Sequence, residues 1–175
     1  MIVNAWVGAD YASAGRILLL MESTHGMVGA DGVQMPESVY VREWCARYAE
    51  PGWNREATFA AIYKACATNG ESRLEWWNRV AFFNLWPDNL GPDNSTKATP
   101  AQLRAGAATL PERLRALAPP PRVVWVASTQ THRTPGVVEA IRAAGARPVL
   151  SVHPVSWHDP IPKLSAAWAG CGAVT

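Results

Sequence analysis

Four apolar runs constrain this chain more than anything else in it: RILLLM (16–21), RVAFFN (79–84), RVVWVAS (122–128) and RPVLSV (147–152). Each holds four to six apolar or β-branched residues with little polar alternation. A strand covered on one face alternates, whereas one buried on both faces reads as a continuous apolar run, as in a parallel sheet sandwiched by helices. Helical patterns separate the runs. Residues 36–50 place Val41, Trp44, Cys45 and Tyr48 on one face, and 54–68 do the same with Phe59, Ile62, Tyr63 and Cys66. A third helix opens with Thr99 as N-cap and Pro100 at the first position, and Pro111 is expected to break or kink it. A fourth repeats the Thr–Pro start at Thr134 and Pro135 and ends near Gly145.

Strand, helices, strand, helices, strand, helix, strand is the order of an α/β fold. The expectation is a three-layer α/β/α sandwich around a central, mainly parallel four-stranded sheet with right-handed crossovers. At 175 residues, 49% apolar and 17% charged, the chain reads as one domain (1–175) with a real core. A net charge of +2 permits nucleic-acid binding without arguing for it. Nine tryptophans suit both core packing and stacking on bases. Cys45, Cys66 and Cys171 are widely spaced and odd in number, which supports neither a disulfide framework nor a zinc or iron–sulfur site. No apolar run approaches the ~20 residues of a membrane span, and no leader pattern opens the chain. A soluble, cytoplasmic protein is expected.

Ligands bind outside the carboxyl ends of the strands in an open parallel sheet. Those ends read Glu22-Ser23-Thr24-His25, Asn84, Ser128-Thr129-Gln130 and His153, so every apolar run gives way to groups that donate, accept or transfer protons. Two loops flank them: the glycine-rich 22–37 and the polar, turn-rich 85–98.

With these segments in view, the chain resembles the uracil-DNA glycosylase superfamily. MESTHG (21–26) lies where that family carries GQDPYH, GMNPG or GEAPG, with Glu22 at the glutamate of GEAPG. HPVSWH (153–158) keeps the His-Pro of the second signature, HPSPLS, and AFFN supplies Asn84 where the family ends a middle strand with a base-reading asparagine. About 60 residues separate the first segment from Asn84, and about 70 more lead to His153. RVVWVASTQTHRTPGVVEAI resembles the family's penultimate strand and following helix, so the likeness spans residues 16 to about 160. Met21, Thr24 and Val155 depart from the glycine, proline and serine of the signatures, and the iron–sulfur cysteines of one branch are missing.

The resemblance implies hydrolysis of the N-glycosidic bond of uracil or a related altered base flipped out of DNA, without metal or cofactor. His153 would stabilise the departing base as negative charge grows. Glu22 would place the attacking water and favour the cationic sugar. Asn84 would pair with the base edge, with Ser23 and Phe83 lining the base site. Trp157, in the place of the family's leucine wedge, would fill the gap left by the flipped nucleotide, with Ser156 beside it. Ser128 and Thr129 offer either a phosphate contact or simple strand-end capping. His25 is a weaker candidate on the same loop, and Tyr40, Phe83 and Trp86 are equal options for stacking on the base. The implied partner is single- or double-stranded DNA with an altered base, met by a monomer. Two further readings stay open: a non-catalytic nucleic-acid-binding protein that keeps the fold, and a small-molecule hydrolase using Ser23 or Ser128 with His153. The hydrolase lacks the glycine-flanked serine of a nucleophile elbow.

Overall fold

The computed structural model describes residues 5–23, 57–88, 90, 97–154 and 159–172. Its sheet has five strands: β1 (Trp6–Val7), β2 (Ile17–Met21), β3 (Val80–Asn84), β4 (Val123–Val126) and β5 (Arg147–Leu150). Their spatial order is β1-β3-β2-β4-β5. The last four are mutually parallel and are the four apolar runs, whereas β1 pairs antiparallel with β3 at the edge. The expected four-stranded sheet is thus corrected to five strands. A two-residue strand has too little sequence to show a period, and Gly8 bonds onto Val80 to finish the pairing (3.0 Å).

Every residue of β2, β3 and β4 is buried, and side-chain alternation sends each strand into two cores. Ile17, Leu19, Val80, Phe82, Val123 and Trp125 face an aromatic-rich core shared with three helices: α1 (Ala57–Cys66), α2 (Arg73–Asn78) and, after β5, α6 (Ile161–Gly170). Leu18, Leu20, Ala81, Phe83, Val124 and Val126 face an aliphatic core under α3 (Pro100–Arg115) and α5 (Val137–Ala143). Short α4 (Thr129–Arg133) follows β4 directly. Helices therefore cover both faces of the sheet. In the aromatic core, Trp77 meets Phe59 edge-on at 4.8 Å between ring centroids, and Trp76 lies 5.6 Å from Trp168.

Three helix starts and one helix interior carry lessons. Ser72 and Glu75 form a capping box that opens α2, a helix the apolar pattern does not announce. Thr99 and Gln102 form another at the expected start of α3. Pro111 does not break α3, which runs through it, because Leu110, Arg113 and Leu114 are all anchored in buried positions. The expected helix start at Thr134 is also corrected. The Thr134 hydroxyl donates to the Gln130 carbonyl (2.9 Å) and closes α4, and Gly136, at φ 87°, begins α5. Residues 36–50 lie outside the described part.

The connection from β2 runs to β3 on one side, while those from β3 and β4 run towards β5 on the other. The first carries its helices on the aromatic face and the others on the aliphatic face, as crossovers of one hand require. The chain thus leaves β2 and its neighbour β4 in opposite directions, the switch point at whose carboxyl ends open α/β sheets bind ligands.

Candidate functional site

At that switch point the sequence places Glu22 after β2 and Ser128 after β4. The Ser128 hydroxyl, fully buried, donates to Glu22 Oε2 at 3.3 Å and accepts from the Thr131 amide (3.3 Å) as N-cap of α4. The parallel ladder continues on the other flank of β2. Met21 pairs with Asn84, the Leu85 amide donates to the Met21 carbonyl (2.8 Å), and the Trp86 amide donates to the Glu22 carbonyl (3.0 Å). Glu22 is held by main chain on the β3 side and by side chain on the β4 side. Burial pushes its carboxyl above the usual carboxylate value, an effect opposed by the Ser128 hydroxyl and the positive charge of Lys97.

The β5 side brings His153. The Ser151 amide continues the ladder to the Val126 carbonyl (3.0 Å), and the Ser151 hydroxyl accepts from Trp125 Nε1 (2.8 Å). These bonds fix the segment that carries His153 two residues on. Burial first, then Lys97, holds the His153 imidazole below its usual value, so the ring is neutral at pH 7. The positive charge of Lys97 acts on both Glu22 and His153.

Asn84 is 3% exposed at the end of β3. Arg113 of α3, itself buried, donates to the Asn84 carbonyl and the Leu85 carbonyl, both at 2.8 Å, and covers the Phe83 ring at 4.3 Å from its centroid. Phe83 is therefore sealed into the aliphatic core under a guanidinium, which corrects its assignment to the base site. Partly buried Trp86 is the described aromatic at the rim. For Ser128 the structure shows the capping alternative: its hydroxyl is buried and bonded to Glu22 and the Thr131 amide. Thr129 and Ser23 are both half-buried beside these groups. His25, Tyr40, Ser156 and Trp157 lie outside the described residues.

Comparison with protein-family models, with curated proteins and with solved structures finds no match.

Three participants escape a reading by strand ends: Lys97, Arg113 and His132. Arg113 had a sequence signal, a charge inside the apolar stripe of α3 formed by Leu103, Ala107, Leu110 and Leu114. His132, in the last turn of α4, has a buried Nδ1 with no partner among the described residues. Burial and neighbouring Arg133 lower its pKa, against a main-chain contact with Ser151. Lys97 carries no local signal. Among the described residues, no three His, Cys, Asp or Glu side chains gather as a metal site, Cys66 and Cys171 are buried free thiols, and no helix is long and apolar enough to cross a membrane.

Proposed function

We propose that the protein is a DNA glycosylase, related to the uracil-DNA glycosylase superfamily, that hydrolyses the N-glycosidic bond of an altered base extruded from DNA. The observation that supports the reading is that Glu22, Asn84 and the His153 segment all follow the carboxyl ends of parallel strands of one sheet.

Cleavage of this bond builds positive charge on the sugar and negative charge on the leaving base. Glu22, steadied by Ser128, orients water towards the sugar and in its ionised form favours the sugar's cationic character. A neutral His153 donates a hydrogen bond to the base oxygen as its charge grows, with no proton to lose first. The Asn84 amide, which offers both a donor and an acceptor, reads the base edge. Trp86 stacks on the base in the role that Phe83 is too deeply packed to take. Lys97 adds a positive potential where an anion forms. Trp157, Ser156 and Thr129 belong to the DNA side of this reading.

The test is release of base from oligonucleotides that each carry one uracil, hypoxanthine or modified pyrimidine, detected as alkali-labile abasic sites. His153→Ala, Glu22→Gln and Asn84→Ala should each lower any release seen. No release from any lesion, with DNA still bound, sinks the catalytic reading in favour of a binding protein.

A further inference from the structure

We infer that Arg113 is a positioning residue that sets the orientation of the segment Asn84–Trp86, a role that rests on the glycosylase reading and extends its site into α3. The segment is gripped from both sides. Its amides, at Leu85 and Trp86, donate to the Met21 and Glu22 carbonyls of the central strand. Its carbonyls, at Asn84 and Leu85, accept the two arms of the Arg113 fork. Arg113 is 5% exposed, and its guanidinium carbon lies over the ring of Phe83, the residue before Asn84.

Gly106, two turns earlier on the same stripe, shows how closely the helix approaches. A Cβ there would run into the Leu85 carbonyl oxygen, so the helix backbone rests on the segment that Arg113 holds. Charge-assisted bonds from a planar fork fix direction as well as distance, and lysine, a point charge, cannot reproduce two parallel bonds. The amide of Asn84 projects from the clamped backbone. A slack clamp therefore misplaces the group that reads the base without touching the water or the leaving oxygen.

The experiment compares the full-length protein with R113K, R113M and R115M, the last altering an exposed arginine of the same helix. Amide hydrogen exchange reads Leu85 and Trp86, and nitrogen–proton spectra read the Asn84 side-chain amide. Steady-state excision, on the lesion the wild type prefers, separates kcat from KM. In R113K, exchange at Leu85 and Trp86 should quicken about tenfold while Val124 in β4 keeps its rate. The Asn84 signals should shift, and kcat should fall by roughly 10- to 100-fold with KM within about twofold. R115M should match wild type. R113M should exaggerate these effects, and where it fails to fold R113K decides. Exchange in R113K rising equally at Leu85, Trp86 and Val124, or unmoved Asn84 signals, would overturn the positioning role. Absence of excision by the wild type would defeat the glycosylase reading alone, because the exchange and spectra need no substrate and still decide whether Arg113 holds the segment.

Discussion

The two ends of the sheet are built by different rules. At the amino end the main chain closes on itself: the Gly8 amide bonds to the Val80 carbonyl (3.0 Å), Arg122 to Arg16 (2.9 Å) and Arg147 to Arg122 (2.8 Å). Among the described residues, the polar atoms buried there belong to large, mainly apolar side chains, the Tyr11 hydroxyl and the Trp76 and Trp77 indole nitrogens, with the Glu71–Arg79 ion pair largely covered beside them. At the carboxyl end, Asn84, Arg113, Ser128, Thr131, Thr134 and Ser151 are all buried, and they are the six buried polar or charged residues of the described chain. Burying such groups is costly unless they are bonded, and side chains with better uses elsewhere do the bonding: Arg113 on two carbonyls, Trp125 on Ser151, Ser128 on Glu22. A sheet selected for stability alone would finish both ends like the first. Local rules are broken where a site needs polar groups in fixed places.

The contrast breaks most visibly in the core that both ends share. Leu19→Ala, at a fully buried position of the central strand, should cost about 2–5 kcal/mol of unfolding free energy in a urea titration. Any excision should fall only with the folded fraction. His153→Ala should do the reverse, lowering excision by roughly 100-fold or more while leaving the urea midpoint close to wild type. If His153→Ala unfolds the protein and Leu19→Ala does not, the two ends have been assigned the wrong way round.

What the sequence disclosed follows the same division. The runs at 16–21, 79–84, 122–128 and 147–152 were legible as strands because burial on both faces leaves an unbroken apolar signature. Trp6–Val7 was not, since pairing with β3 rather than its own pattern makes it a strand. Pro111 obeys a local rule that tertiary anchoring of Leu110 and Leu114 overrides. At the site, the polar residue types were visible but their partners were not. Ser128 finds Glu22 across 106 positions of chain, and no spacing encodes that bond. Phe83 was placed at the base site, yet strand alternation turns it into the core, whereas Trp86, among the described residues, is only partly buried.

The pH profile sharpens the comparison further. Activity that needs ionised Glu22 and neutral His153 loses its acid limb within a window set from both sides. Burial raises the carboxyl from an ordinary value of 4.5 and lowers the imidazole from 6.5, so the part of the limb set by Glu22 should lie above 4.5 and the part set by His153 below 6.5. Ser128→Ala removes the hydroxyl that holds the carboxyl down, so the limb should move to higher pH. The same substitution removes the cap of α4, at a cost of about 1 kcal/mol. A limb that stays in place in Ser128→Ala, measured as kcat/KM against pH, would detach the Ser128 bond from the chemistry.

The smallest effect is the most specific to a site. Because the Glu22 pKa is raised by folding, the folded chain binds that proton more tightly than the unfolded chain. Its contribution to stability is then complete below the ordinary value of 4.5 and is lost as pH rises through the folded value. At pH 7 the carboxylate is a charge the fold would be better without. Glu22→Gln keeps the shape and an acceptor for Ser128 but carries no charge, so it should melt at the wild-type temperature or up to about 2 °C higher at pH 7, and the gain should vanish by about pH 4. His153 has the opposite sense, losing stability as pH falls from 6.5 through its lowered value, but it is common to both proteins and largely drops out of the difference. A carboxylate that lowers stability is one retained for something other than the fold. Thermal melts in which Glu22→Gln is clearly less stable than wild type at pH 7 would make Glu22 a structural anchor for Ser128, and the carboxyl end of the sheet would then differ from the amino end only in the kind of bonds that close it.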